Sequence, residues 1–206
     1  MQSMIFTIGH STHPQLNFAD LLHRHNVEVV ADVRSQPYSR FHAQFNREEL
    51  RHFLQQQGIS YLFLGDELGA RSKDPSCYSN GKVQYDRLVR TTDFQVGISQ
   101  LDNASRISRL ALMCAEREPL ECHRTLLIAR HLFDRGWNVC HIHADGSLED
   151  HAAAEERLMP QLRIPTMFLS PEERREEAYR VQTDAVAYTL PEDSPMIEDR
   201  WRSAAS

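Results

Sequence analysis

Short apolar runs alternate along this chain with stretches whose apolar residues recur every three or four positions, and that alternation constrains the fold more than any other feature. Residues 4–8, 27–33, 59–64, 110–114 and 138–143 read as five strands. Between them, residues 17–25 place Phe18, Leu21 and Leu22 on one helical face, and residues 47–57 do the same with Leu50, Phe53 and Leu54 before Gly58. Residues 85–100 read as a further helix, and residues 124–135 as another that turns Leu127, Ile128 and Leu132 inward before Gly136. Strands alternating with helices predict a Rossmann-like three-layer α/β sandwich with a mainly parallel sheet. Residues 66–81, with Gly69, Pro75, Gly81 and little apolar content, read as one long loop of the kind that often closes over a ligand.

The character changes after Pro160, so residues 1–164 are expected to form the α/β domain and residues 165–206 a C-terminal extension. That extension carries Pro165, Pro171, Pro191 and Pro195 around a charged cluster at residues 172–180. It reads as an arm, partly helical, packed on the domain or on a second copy of the chain, or as a disordered tail.

No apolar run approaches the roughly 18–20 residues needed to span a bilayer, so no membrane partner is expected. The N-terminus enters the first apolar run without a basic segment and reads as a strand, not a signal peptide. A cytoplasmic location and four reduced cysteines are the corresponding expectations. The net charge of −6 disfavours general affinity for nucleic-acid backbones, while leaving room for a local basic cleft.

In open parallel sheets ligands bind outside the carboxyl ends of the strands. Each predicted strand here ends in reactive residues: Gly9-His10-Ser11, Asp32-Val33-Arg34 followed by Pro37-Tyr38-Ser39-Arg40, Gly65-Asp66-Glu67, Cys114-Ala115-Glu116, and His141-Ile142-His143-Ala144-Asp145. The richest stretch is Leu110 to Arg124, where a strand leads to Cys114 and Glu116 and a short loop leads to Cys122-His123-Arg124 at a helix start. A cysteine there sits at the positive end of the helix dipole, beside Arg124, which favours its thiolate; the same backbone N–H groups can also hold an anion. The simpler alternative is a buried cysteine with Arg124 facing solvent.

Cys140, inside a strand, reads as core, and Cys77 as an exposed loop residue. His23, His25, His52 and His131 fall on predicted helices and read as surface residues. His10, Cys114, Cys122 and His123 form an alternative ligand set for zinc or iron, although Cys-x7-Cys-His is no recognised metal knuckle and no CxxC pair occurs. Arg34 and Arg40 suit bidentate contacts to an anion. Asp32 would orient one of them or act as a general base, or Asp32 and Arg34 form a structural pair that pins the loop. Phe41 and Phe45 suit stacking on a base, or the core.

Taken together, Thr7-Ile8-Gly9-His10-Ser11, Asp32-Val33-Arg34 with Pro37-Tyr38-Ser39-Arg40, Phe45-Asn46, Tyr61 with Leu64-Gly65 and Leu68-Gly69, Leu112-Met113-Cys114-Ala115-Glu116 and Cys122-His123-Arg124 resemble the hallmark blocks of the family named domain of unknown function 488. The resemblance covers about residues 4–150, with one departure at Ala70, where a second glycine after Gly69 is expected. It implies a Rossmann-like α/β fold and an enzyme with two cysteines near its site, and no particular reaction. A fainter similarity, to rhodanese-like and phosphatase loops, fails because Cys122 and Arg124 are only two residues apart.

The leading expectation is an enzyme acting on a small anionic or nucleotide-like substrate without need of a cofactor. Cys122, Cys114, Glu116, His10 and Asp32 would carry the chemistry, and Ser11, Arg34, Ser39, Arg40, His123, Arg124 and Asp145 would bind substrate. The alternatives are a zinc- or iron-dependent enzyme and a non-catalytic module that binds a nucleotide or nucleic acid.

Overall fold

The computed structural model describes residues 4–165, 167–191 and 194. In chain order the elements are β1 (Met4–Gly9), α1 (Gln15–Arg24), β2 (Val29–Asp32), α2 (Arg47–Gln56), β3 (Ser60–Phe63) and α3 (Gly65–Leu68). There follow β4 (Tyr78–Ser79), β5 (Lys82–Val83), α4 (Tyr85–Leu88), α5 (Thr92–Ser105) and β6 (Leu110–Cys114). A π-helical segment, Arg124–Ala129, runs directly into α6 (Arg130–Phe133), and β7 (Asn138–Ile142), β8 (Leu148–Asp150), α7 (His151–Gln161) and α8 (Pro171–Val186) complete the fold.

The main sheet has the order β3-β2-β6-β1-β7-β8, parallel throughout except for β8. Period-two alternation splits its side chains between two cores. Phe6, Ile8, Val30, Ala111 and Met113 meet Phe18 and Leu22 of α1 and Leu50 and Leu54 of α2. On the other face Ile5, Ala31, Leu110 and Leu112 meet Phe94, Leu101, Ile128 and Leu132. Helices on both faces of a mainly parallel sheet make this the layered α/β fold that the alternating pattern predicts.

Four local expectations fail, each for a definable reason. Residues 66–81 are not one loop: they hold α3, a 3-10 turn at Pro75–Cys77 and most of the β4–β5 hairpin. These pieces are too short to show a period, and Cys77 is buried among them, not exposed. The predicted helix over 85–100 is broken between α4 and α5, because the Thr91 hydroxyl caps a new helix by accepting from the Phe94 N–H. His131 is buried edge-on against Phe94, with ring centroids 4.8 Å apart, and is not a surface residue.

The charged cluster after Pro165 forms α8, started by a reciprocal capping box between Ser170 and Glu173. It packs on the domain through Ala178 and the buried Tyr179, over whose ring Arg130 stacks at 4.0 Å. The rest of the expected arm, residues 166, 192–193 and 195–206, lies outside the described residues.

The parallel register sets the site. Gly9 pairs with Cys114 and Asp32 with Met113, so β1, β2 and β6 end level with one another. Backbone bonds extend the alignment past the strands, from His10 N–H to the Cys114 carbonyl (2.9 Å) and from Ser11 N–H to the Ala115 carbonyl (2.9 Å). Gly9 is required here: a Cβ would stand 1.8 Å from the Glu116 carbonyl oxygen.

Candidate active site

Beyond Cys114 the chain loops out, and a 3-10 turn at Pro119–Glu121, capped by the Glu118 carboxylate, returns it to the sheet edge. Cys122 therefore arrives beside Cys114. The two sulfurs and a ring nitrogen of His123 all lie within 4.8 Å of one another. Nδ1 of His123 is 3.7 Å from the Cys114 sulfur and 3.9 Å from that of Cys122. Its Nε2 is 3.0 Å from the Val33 carbonyl and must donate to it, which turns the Nδ1 lone pair toward both sulfurs.

Cys122 Sγ also lies 2.9 Å from Oε2 of Glu116 and 3.4 Å from the Arg124 N–H. That N–H opens the π-helical turn, a winding that recurs at functional sites. Burial works against ionisation of Cys122, but the Cys114 hydrogen bond and the Arg124 charge lead the influences that outweigh it, holding the thiol well below its ordinary range. Cys114 moves the opposite way, pushed up by its hydrogen bond to Cys122 and by burial. Burial and the neighbouring Cys122 charge also raise Glu116. Burial opposes a charge on His123, yet its hydrogen bond to Cys122 leaves the ring more basic than usual.

Arg124 does not face the ligand side as expected. It is fully buried behind the cysteines, and its Nη1 and Nη2 donate to the carbonyls of Glu116 (2.8 Å) and Arg117 (3.4 Å). Its Nε finds no partner, and no carboxylate oxygen among the described residues lies within 4.0 Å of the guanidinium.

Asp32 and Arg34 form the structural pair. Nε and Nη2 of Arg34 bind the two carboxylate oxygens at 2.9 and 2.7 Å, and Nη2 also donates to the Phe45 carbonyl at 2.8 Å. Tyr61 donates to the same carboxylate at 2.7 Å, so Asp32 is saturated and poorly placed to act as a base. His10 belongs to this group and not to the cysteines: its Nδ1 donates to the Ser11 carbonyl and its Nε2 accepts from Arg34 at 3.2 Å. Burial, then the Arg34 charge, lowers its pKa to about 4 and keeps it neutral. Both ring nitrogens are thus occupied, which removes His10 from the metal-ligand set.

The remaining expected binding residues lie elsewhere. The Ser39 hydroxyl accepts from the N–H groups of Phe41 and His42 and shapes a turn. Arg40 is exposed against Phe41, itself 77 % exposed, whereas Phe45 is core. Ser11 adopts φ 49° at the end of β1, and Asp145 caps the exposed β7–β8 turn through Ser147.

The cysteine cluster opens on a cavity of about 240 Å³, also lined by Arg71, Tyr85, Val186 and Tyr188. Arg71 stacks over Tyr188 at 4.5 Å and donates to Gln36, and no carboxylate among the described residues pairs with it. Sequence reasoning missed these residues. The one available signal for Arg71 was its place beside Gly69, whose backbone packs where a Cβ would stand 2.2 Å from the Ser35 hydroxyl oxygen. Ala70, the departure from the expected glycine, is not among the residues with positive φ, so this turn needs no second glycine.

Residues 16–142 match the family model described as Domain of unknown function DUF488. The chain belongs to the DUF488 family. The DUF488 match runs from α1 to β7, so it contains the whole cluster from Cys114 to Arg124 and leaves His10, α7 and α8 outside. Among solved structures, a DUF442 protein of Shewanella putrefaciens CN-32, described as a candidate phosphatase, is similar at a TM-score of 0.34 and 10 % identity. That similarity covers 88 % of this chain and 87 % of the other. No curated protein matches the sequence. No helix among the described residues is long and apolar enough to cross a membrane.

Proposed function

We propose that this DUF488 protein is a thiol enzyme in which Cys122 attacks an electrophilic centre of a small anionic substrate held in the 240 Å³ cavity. Glu116, 2.9 Å from the sulfur, takes the thiol proton and passes it to the leaving group. Arg71, free of any carboxylate among the described residues, holds the substrate's negative charge.

The observation that carries this reading is the isolation of Arg124. A guanidinium removed from water needs a counter-charge; its own charge favours the Cys122 thiolate, and Glu116, 2.9 Å from that sulfur, shares the thiol's proton. One proton shared between a thiol and a carboxyl leaves one negative charge on the pair. Whether written as thiolate with carboxylic acid or as thiol with carboxylate, the pair is poised to make a nucleophile at neutral pH.

The test is iodoacetamide labelling of the native protein between pH 5.5 and 9, read by peptide mass spectrometry. Cys122 should label first, at a rate already level by pH 7, while Cys77 and Cys140 label only on unfolding. Four equally slow thiols, or a Cys122 rate climbing tenfold per pH unit toward pH 8.5, would overturn the assignment.

The geometry also favours a second reading. Cys114, Cys122 and His123 present three soft or borderline donors within 4.8 Å, and the far nitrogen of His123 is tied to a carbonyl, as ligating histidines usually are. Zinc or iron on this set would keep one position open to the cavity and would act as Lewis acid. Metal analysis of untagged protein separates the two readings. Stoichiometric metal lost in both Cys114→Ser and Cys122→Ser establishes the second; metal-free protein with one fast thiol establishes the first.

A further inference from the structure

We infer that Cys114 and Cys122 form a dithiol pair that reduces small anionic disulfides, Cys122 attacking and Cys114 resolving; this rests on the nucleophilic reading of Cys122. Four features of the site converge on it.

Both sulfurs line the same cavity and stand within 4.8 Å of each other, so side-chain rotation brings them toward the roughly 2 Å of a disulfide. The loop that separates them in sequence is pinned by Arg124 through the Glu116 and Arg117 carbonyls, and by the close approach of Gly9 to Glu116. Their proximity is therefore built in and does not depend on a mobile segment. His123 Nδ1 lies against both sulfurs, ready to take the Cys114 proton when that thiol becomes the attacking group. The other two cysteines stay out of the cavity: Cys140 packs with the α1–α2 core, and Cys77, buried in the same core as the pair, does not line the space.

The reaction balances without a cofactor. The Cys122 thiolate attacks one sulfur of R–S–S–R, forming a Cys122–S–SR bond and breaking the substrate bond; the first RS⁻ leaves and takes the proton held by Glu116. Cys114 gives its proton to His123 and attacks the Cys122 sulfur. The Cys114–Cys122 disulfide forms, and the second RS⁻ leaves with the proton from His123. One disulfide becomes two thiols while the protein dithiol is oxidised by two electrons. Return to the starting state requires a small thiol as reductant. A cavity of about 240 Å³ takes one short arm of such a substrate, with Arg71 available for a carboxylate on that arm.

The reduced protein is mixed with 3,3′-dithiodipropionate, and separately with the neutral bis(2-hydroxyethyl) disulfide. Released thiol is counted, and protein disulfides are mapped by peptide mass spectrometry. Wild type should release two thiols per chain and hold a Cys114–Cys122 disulfide. Cys114→Ser, and Cys114→Ala if the serine variant folds poorly, should release one thiol and stop as a mixed disulfide on Cys122. Arg71→Ala should lose roughly tenfold of the preference for the anionic substrate, the worth of one charge-assisted hydrogen bond, and Arg71→Lys should regain part of it.

Wild type that stops at the mixed disulfide, or a Cys114 variant that releases two thiols, would remove the resolving role. No reaction with either disulfide while iodoacetamide still labels Cys122 would overturn the inference and leave the nucleophile in place. No labelling by either reagent would overturn both.

Discussion

Two buried polar networks lie in this molecule, and they differ in what they leave unspent. One joins the sheet to the C-terminal helices. Thr7 Oγ1 lies 2.8 Å from His141 Nδ1, His141 Nε2 3.1 Å from His151 Nδ1, His151 Nε2 3.0 Å from the Tyr179 hydroxyl, and that hydroxyl 2.7 Å from Glu155. With both rings neutral the chain has one consistent direction: each group donates to the next, ending at the Glu155 carboxylate. Every polar side-chain atom between Thr7 and Tyr179 is used. At the cysteine cluster, by contrast, two sulfurs and the His123 Nδ1 lone pair keep bonding capacity beside a cavity, and the buried Arg124 Nε has no partner. The first network is closed and holds elements together; the second is open and can accept a reaction partner.

The sharpest way to break this contrast is to discharge the open network. Cys122→Ser or Glu116→Gln alone should cost about 1 kcal/mol, because the remaining group carries the charge opposite Arg124. The double variant strands a buried guanidinium and should cost about 3–5 kcal/mol in urea unfolding. A double-mutant cycle therefore returns a coupling of roughly 2 kcal/mol or more. Additive losses would mean that Arg124 is compensated from elsewhere.

Acid attacks the closed network. Burial, then nearby arginines, lowers His151 to about 4, and burial, then the His151 charge, lowers His141 well below its usual range. Such rings add stability that is fully present above pH 6.5 and lost as pH falls toward 4, because the unfolded chain binds the proton first. His10, also lowered to about 4, has the same sign. Each ring held to about 4 contributes on the order of 3 kcal/mol. Glu155, raised by burial, opposes them: its contribution is full below pH 4.5 and lost as pH rises. His123, raised, likewise favours acid over the window above pH 6.5. Urea midpoints should rise slightly from pH 7.5 to 6.5, the His123 window, and then fall by pH 4.5; a midpoint that goes on rising below pH 6.5 would contradict the neutral chain.

A smaller effect is expected at the junction with α8. Tyr179→Phe removes one hydroxyl that serves His151 and Glu155 together, leaving a buried donor and acceptor unmatched. A loss of about 2 kcal/mol follows, with Cys122 labelling unchanged. If labelling fell in step with stability, the two networks would not be independent.

The same distinction explains what the sequence could and could not show. Period-two and period-3.6 patterns revealed the five parallel strands, α1 and α2, because each sets apolar residues against the core, the edge strand β3 only partly buried. They missed β8, three residues long with Leu148 exposed, and the hairpin, whose strands have two residues each. The rule that ligands sit at strand ends led to Cys114, Glu116, Cys122 and His123, which the register does bring together. It could not tell spent residues from unspent ones. Arg34 is consumed by Asp32, two residues earlier, and the Nη1 and Nη2 groups of Arg124 by backbone carbonyls, neither of which composition or spacing reveals. Arg71 and Tyr188 reach the cavity from segments with no period at all.

Those two arginines of the cavity wall give the finest version of the comparison. Arg34 and Arg71 both border the same space, yet only Arg34 is bound to a carboxylate. Arg34→Ala would leave Asp32 buried with Tyr61 as its one remaining side-chain donor, an outcome of the costly kind. Arg71→Ala removes an exposed side chain that stacks on Tyr188 and donates to Gln36, contacts worth about 0.5 kcal/mol at such a site. Thermal and urea unfolding of Arg71→Ala should therefore match wild type within that margin, while labelling of Cys122 by anionic iodoacetate slows relative to neutral iodoacetamide. A variant that unfolds early would make Arg71 part of the scaffold, like Arg34. One that keeps both its stability and its iodoacetate rate would leave the cavity without its anion holder.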